Sequence, residues 1–496
     1  MRWSLTTRRS IEGSPLVALS QEPQSVLERT GRPARPNLVI AVLALAGVTA
    51  SFMQTILIPI QGELPHLLGA SREDAAWVIT ITLLVSAICT PISGKLGDMY
   101  GKRRVALVLL GLLVAGSTVA ALSPSVVPLI VGRGLQGLGM GVIPLGISIL
   151  RDTLPEERLG GATALVSATL GVGGALGLPL SAFVTERADW HMLFWAAAAM
   201  GATVLVLVAT CVPESDVRTG GRIDVVGVVG LAIGLACLLL AISRGGDWGW
   251  TSPLTLGLLL GGAAVLLVWG FLELRIHDPL VDLRVSARGP VLMTNLASVA
   301  MGFALFSSSV AFPQLLELPE VAGGLGLPLL QASMMLMPSG IAMLVMSPVA
   351  GRLETVFGPK PLLIAGSSII AIGYTAAVLL DLHAWHILVI NVLIGVGIGL
   401  GYAAMPNLIM GAVPASETGA ANGLNTLMRA LGTASASAVI AAVLTASSVR
   451  VGDAVAPSPG GFQMAFIFGF IAAVVCTVLA VFIPAPRPDD SELPAH

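Results

Sequence analysis

Gly94-Lys-Leu-Gly-Asp98-Met-Tyr-Gly101-Lys-Arg-Arg104 joins two apolar stretches, residues 75–97 and 104–122. Each is about as long as the roughly 20 residues a helix needs to cross hydrocarbon. Gly94, Gly97 and Gly101 allow close backbone approach and positive φ, so the segment predicts a tight turn between two helix ends. Asp98 can pair with the cations that follow it, or sit at a helix N-terminus where the aligned peptide dipoles favour negative charge. The plainer reading is an ordinary basic loop on the cytoplasmic side of a membrane.

Working outward, the same apolar length recurs. Of the 496 residues, 55% are apolar and 11% charged, against roughly 25% charged in a soluble domain. Such a chain cannot cover its surface with charge, so most of its solvent must be lipid. Fourteen stretches are long enough to span a bilayer: 38–60, 75–97, 104–122, 125–150, 161–184 and 191–212; a middle pair, 223–243 and 252–274; then 290–315, 329–351, 360–380, 385–411, 419–444 and 463–484. The expected fold is an all-α membrane protein with two six-helix bundles and two extra helices between them. Its parts are a tail at 1–37, a bundle at 38–212, a two-helix insert with linkers at 213–289, a bundle at 290–484 and a tail at 485–496. Residues 1–37 lack a cleavable apolar core and read as a cytoplasmic tail.

Basic residues set the orientation. With the N-terminus inside, twenty Lys and Arg fall in cytoplasmic segments and four outside (Arg72, Arg187, Arg244 and Arg450), while Arg133 and Arg429 lie within spans. Both termini are therefore expected in the cytoplasm, and the protein in a bacterial inner (plasma) membrane. A net charge of −2 gives no footing for nucleic acid. The four cysteines each fall in an apolar run, and no two have metal-ligand spacing.

Three pairs of segments repeat in register. Gly94-Lys-Leu…Gly101-Lys-Arg103 resembles Gly351-Arg-Leu…Gly358-Pro-Lys360. Pro155…Gly160-Gly-Ala-Thr-Ala-Leu165 resembles Pro414…Gly419-Ala-Ala-Asn-Gly-Leu424. Pro59-Ile-Gln-Gly-Glu-Leu-Pro65 resembles Pro313-Gln-Leu-Leu-Glu-Leu-Pro319. The offsets are 257, 259 and 254 residues. Parallel repeats mark transporters whose halves rock about a central site.

Two further motifs accompany the opening loop. The fourth span contains Arg133-Gly-Leu-Gln136-Gly137-Leu-Gly139, and the fifth contains Gly171, Gly173, Gly174, Gly177 and Pro179. With these, the chain resembles the major facilitator superfamily, specifically its fourteen-span drug:proton antiporters, over residues 38–484. The fourth-span segment looks like that family's arginine motif, and the fifth-span glycines look like its antiporter motif. The match departs at Gly177-Leu178-Pro179, where the family has a Gly-Pro pair, and at Ser181 and Ala182, where it has glycines. The resemblance implies export of amphipathic drugs or metabolites in exchange for protons. It also implies that Asp98 latches the two halves at the N-terminus of span thirteen, near Ser416-Glu417-Thr418, with Gly94, Gly101 and Arg104 completing the loop.

Buried polar groups supply the remaining candidates. Arg133 is a charge deep in the fourth span, which marks function by default, although a structural strut is the alternative. Gln54, at similar depth in the first span, can accept its hydrogen bonds. Asn422, Asn425 and Arg429 share one helical face of span thirteen and serve either substrate and gating or packing between the halves. Met334, Met335, Met337, Met343 and Met346 in span ten form either an adaptable binding stripe or a lipid-facing one. Gly395, Gly397, Gly399 and Gly401 read as packing positions.

Antiport also needs a titratable group. The family's first-span acid is absent from Phe52-Met53-Gln54-Thr55, and no carboxylate falls mid-span. The candidates left are Glu63 and Glu317, at equivalent places in the Pro-x-x-x-Glu-Leu-Pro repeat; the alternative is that this repeat merely ends two helices. No histidine lies deep in a span, and no acid, base, nucleophile or metal cluster suggests catalysis. The expected partners are the lipid bilayer, a small amphipathic substrate and protons, with no cofactor and no metal, in a monomer. The competing readings are a proton-independent facilitator or importer of a small apolar solute, and a transporter-like membrane sensor.

Overall fold

A computed structural model describes residues 35–57, 60, 64–215, 223–276, 279–414, 417–451 and 454–484. Most of both expected tails, and Glu63, lie outside the described residues.

The first bundle contains α1 (Pro36–Thr55), the short α2 (Leu64–Leu68), α3 (Arg72–Tyr100), α4 (Lys102–Ala121), α5 (Val126–Gly139), α6 (Val142–Thr153), α7 (Glu156–Arg187) and α8 (His191–Cys211). The insert is α9 (Val225–Trp248) and α10 (Pro253–Glu273), followed by the one-turn α11 (Leu283–Ser286). The second bundle contains α12 (Gly289–Glu317), α13 (Leu329–Phe357), α14 (Pro359–Leu379), α15 (Ala384–Met410), α16 (Thr418–Ala446) and α17 (Pro459–Val481). Strands β1 (Ser448–Val451) and β2 (Ala454–Pro457) form an antiparallel hairpin between α16 and α17.

Among the described residues thirteen helical segments are long and apolar enough to cross a membrane. The remaining expected stretch, 161–184, lies within the 32-residue α7, whose described apolar piece is Leu176–Thr185. The chain is thus a multi-pass membrane protein in a lipid bilayer.

Local chemistry sets the ends. Proline opens α1, α10, α12, α14 and α17, where its missing N–H costs no helical bond. The side chains of Ser71, Asp224, Ser252 and Ser458 cap α3, α9, α10 and α17. Gly101 turns α3 into α4 with φ +106°, and Gly358 turns α13 into α14 with φ +78°, values that side chains resist.

Three features add to the sequence expectations. The fourth span is not continuous; it breaks at Met140–Gly141 between α5 and α6. Pro313 lies inside α12 without ending it. Arg244, expected outside, lies within α9 at 2% exposure, near the Trp77 ring (5.1 Å) and Asp247 (3.2 Å). Partners of this kind make burial of a cation tolerable.

Within the first bundle α1 packs on α7 and α8, and α4 on α5 and α8. Within the second, α12 packs on α16 and α17, and α14 on α15 and α17. Across the seam α3 meets α16, and α7 meets α13 and α15, while α9 lies against both α3 and α16. Each bundle has its own apolar core.

Candidate functional site: the seam between the halves

The motif loop lies on the seam. A β-carbon on Gly94 would sit 2.2 Å from the Gly419 carbonyl oxygen, so α3 and α16 cross with backbone against backbone. One turn later Asp98 is buried at 1% exposure. Its carboxylate accepts hydrogen bonds from the amides of Gly419 (3.2 Å) and Ala420 (2.9 Å). A helix start leaves such amides unsatisfied, and Glu417, the residue before α16, gives no side-chain cap. The cap comes instead from the other half of the molecule, as a carboxylate at the positive end of the helix dipole.

Lys102 was not singled out by the sequence, yet it is fully buried. Its Nζ lies 2.7 Å from Asp152 Oδ2, 3.7 Å from Asp98 Oδ1 and 3.4 Å from Thr418 Oγ1. Asp152 also accepts from the Ser215 hydroxyl at 2.6 Å. The Arg151 guanidinium reaches across the seam to the Val413 carbonyl at 3.4 Å. Arg104 stands apart from this cluster, exposed and 3.7 Å from Glu214. Burial, and then the Asp282 carboxylate, push the pKa of Glu417 upward, against the pull of Lys95 and Arg288.

The second seam repeats the first in part. A β-carbon on Gly351 of α13 would sit 2.5 Å from Gly161 Cα of α7. Glu354, one turn on, accepts from Asn407 Nδ2 at 2.8 Å, and its Oε2 lies 3.3 Å from where a Gly160 β-carbon would be. Glu354 lies inside the repeated Gly351…Gly358 segment, one position off the register of Asp98. Farther along α7, Gly171 faces Met343 of the methionine stripe, whereas Gly173 and Gly177 pack on Ser51 and Thr55 of α1. Pro179 lies inside α7 without ending it. The antiporter-motif helix therefore touches its own bundle through Gly173 and Gly177, and the other bundle through Gly171.

Each bundle also buries one arginine. Arg133 is 1% exposed. Its Nη1 donates to the Met53 carbonyl (2.7 Å) and Gln136 Oε1 (2.8 Å), and its Nε to the Val78 carbonyl (3.3 Å). Gln136 in turn donates to Ser117 Oγ at 2.8 Å. The expected acceptor, Gln54, is half-buried, and the neighbouring carbonyl takes its place. Met53 lies in the last turn of α1, where carbonyls have no helical donor.

In the second bundle Arg429 stacks on Tyr402 at 4.5 Å and donates to Thr426 Oγ1 at 3.4 Å. Asn425 donates to Asn295 Oδ1 (3.0 Å) and Ser298 Oγ (2.7 Å). Asn422 turns back to its own helix, donating to the Thr418 carbonyl at 3.0 Å. Glu317 ends α12 on an exposed position. The seam thus gathers Gly94, Asp98 and the α16 N-terminus. It leaves Arg104, Glu317 and Arg133 elsewhere.

Two similar bundles that meet at bare-backbone crossings, with an apolar exterior, define a membrane transporter rather than an enzyme. The chain belongs to the Major Facilitator Superfamily, whose model matches residues 43–437 and 292–496. It is 28% identical to the lincomycin resistance protein LmrB of Listeria monocytogenes, over 91% of this chain and 98% of that protein. It is 27% identical to LmrB of Bacillus subtilis, over 94% and 100%, and 24% identical to the multidrug resistance protein Stp of Mycobacterium tuberculosis, over 83% and 76%. Among solved structures, the human organic anion transporter MFSD10 superposes with a TM-score of 0.65 at 16% identity, over 90% of this chain and 99% of that one. The proton:xylose symporter XylE superposes with a TM-score of 0.62 at 15% identity, over 90% and 96%.

Proposed function

We propose that this protein exports amphipathic drugs or metabolites across the bacterial plasma membrane in exchange for protons, with both termini in the cytoplasm. The observation that carries the reading is the seam at Asp98, where a charged group of one half closes the start of a helix in the other. Relatives whose names record lincomycin and multidrug resistance, matched along nearly their whole length in the case of LmrB, support the substrate class.

In this mechanism the halves rock, and the Asp98 end is closed while Asp98 caps α16. Opening withdraws the α16 amides and lets water reach Asp98 and Lys102. A charge at a helix end is worth about 0.3–1 kcal/mol when exposed and up to about 2 when partly buried, an amount that holds the gate without locking it. Arg133 and Arg429 hold each bundle rigid as it moves. The acids available for coupling are Glu63, its repeat counterpart Glu317 at the end of α12, and Glu354 on the second seam.

The absence of a carboxylate from Phe52-Met53-Gln54-Thr55 favours one second reading, a facilitator without proton coupling. Reconstituted flux with and without an imposed pH gradient separates the two. The antiporter reading expects gradient-driven efflux that falls in the Glu63→Gln, Glu317→Gln double variant. Gradient-independent flux in the unaltered protein ends the antiport reading, and no flux of any amphipathic compound ends the transport one. Whether deletion sensitises cells to lincomycin-type drugs tests the substrate class.

A further inference from the structure

α10 faces lipid along most of its length: among its described residues only Thr255, Gly262 and Glu273 are buried. Glu273 is the anomaly, a carboxylate at 2% exposure on the last turn of an otherwise apolar helix. Its Oε2 accepts from the Leu280 amide at 3.0 Å, and the Val281 amide and the Trp269 indole N–H lie beside the carboxylate, but Oε1 has no partner in full hydrogen-bond geometry among the described residues. Asp224, which caps α9, has the same imbalance. Oδ1 accepts from the Gly227 amide at 2.8 Å, and Oδ2 has no partner among the described residues.

These two oxygens converge. A β-carbon on Gly227 would lie 2.2 Å from Asp224 Oδ2 and 2.4 Å from Glu273 Oε1. A buried carboxylate and a half-buried one beside one point repel each other, and each buried oxygen left unsatisfied costs desolvation energy. A cation between them removes both penalties.

A cavity of about 280 Å³ opens beside the pair, between α9 and α10. Its walls include Val226, Gly230, Val268, Trp269 and Leu272, and it reaches Glu273. Val226, Val268 and Leu272 are 63%, 59% and 40% exposed, so the mouth looks outward into lipid. The acids lie at the start of α9 and the end of α10, at the ends of two helices long and apolar enough to cross the membrane, where headgroups are expected. A molecule that joins a cation to an apolar body and arrives from the bilayer fits both features. The Trp269 ring adds a face that attracts ammonium groups. Two residues beyond Glu273, the exposed Arg275 stacks on Phe271 at 4.1 Å, placing a cation at the same depth for a phosphate.

We propose that the α9–α10 insert holds a binding site for an aminophospholipid, with Glu273 and Asp224 receiving the primary ammonium and the apolar cavity receiving the start of the acyl chains. The test is native mass spectrometry of the full-length protein in detergent, offered phosphatidylethanolamine, its N-acetyl derivative, phosphatidylglycerol and dodecylamine in turn. Phosphatidylethanolamine should be retained at least tenfold over the N-acetyl and glycerol lipids, and Glu273→Gln or Asp224→Asn should remove that preference. Val268→Trp fills the cavity from its exposed wall and leaves both acids in place, so it tests the site even where an acid variant fails to fold; it should release the lipid with an unchanged elution profile. Equal retention of the amine and N-acetyl lipids overturns the proposal. So does a Val268→Trp protein that keeps phosphatidylethanolamine, or retention of dodecylamine without the phospholipid.

Discussion

At the α3–α16 crossing Gly94 lies on Gly419, and at the α7–α13 crossing Gly351 lies on Gly161. Both crossings are followed by a turn glycine with positive φ, Gly101 and Gly358. After each turn a cation caps the last helix of its own bundle: Arg103 donates to the Ala209 carbonyl of α8, and Lys360 to the Ile483 carbonyl just past α17 at 2.6 Å. There the likeness stops. Thr355 and Pro359 stand where the first copy has Asp98 and Lys102. The packing part of the motif is duplicated and the charged part is single. On the proposed mechanism two equivalent crossings share one electrostatic catch, and substitutions can separate the two roles.

The largest effect should follow Lys102→Met, which leaves Asp98 and Asp152 buried without their cation, a change that typically costs about 3–5 kcal/mol. The expected result is a protein of low abundance and low thermal stability. Lys360→Met, which removes one bond to a carbonyl, should be close to normal. Equal damage from both would show that the second turn hides a network of its own.

Next come Gly94→Val and Gly351→Val. Each puts a β-carbon within 2.2–2.5 Å of backbone across the seam, and overpacking of this kind costs about 1–3 kcal/mol. Both should cut flux in proteoliposomes by about tenfold or more, by equal amounts if the crossings are mechanically alike. Normal flux in either variant breaks the comparison.

Asp98→Asn should act more gently, reducing flux severalfold at normal membrane abundance, because Lys102 keeps Asp152 at 2.7 Å and the charge lost at the helix start is worth up to about 2 kcal/mol. Thr355→Ala, its counterpart, should leave flux unchanged. If both behave alike, the catch does not exist. The smallest effect belongs to Glu354→Gln, since an amide oxygen can keep the 2.8 Å bond from Asn407. Flux should fall less than about twofold, because the bond is kept and losing one net hydrogen bond, about 0.5–1.5 kcal/mol, would cost more than that. A variant whose response to a pH gradient disappears would instead identify the second seam as the proton site.

Apolar length and short loops made the two bundles and the inserted pair legible, because a bilayer allows few other solutions. The break at Met140–Gly141 and the hairpin at 448–457 were not legible. Neither interrupts an apolar run in a way that composition registers. At Arg133 the sequence offered Gln54 as a side-chain acceptor, but the bond goes to the carbonyl of Met53. Every residue carries a carbonyl, so only the position of the helix end reveals which one is free. Lys102 read as one more loop cation beside Arg103 and Arg104, although it alone of the three is buried. Distinguishing it required Asp152, fifty residues away in the chain. Glu354 stood in plain view inside the repeat but one position off the register of Asp98, and the alignment of like with like passed over it.

The cap that Asp98 gives α16 joins residues 321 positions apart. During synthesis at roughly 5–20 residues per second, something like half a minute passes between the appearance of one partner and the other. Through that interval the first bundle must sit in the membrane with a bare glycine groove along α3 and a carboxylate that has Lys102 but no helix to hold. The nascent protein is therefore most open to mispairing at the face that later meets α16, and the arrival of α16, with α17 still to follow, completes this seam and, in the proposed mechanism, closes the transporter for the first time.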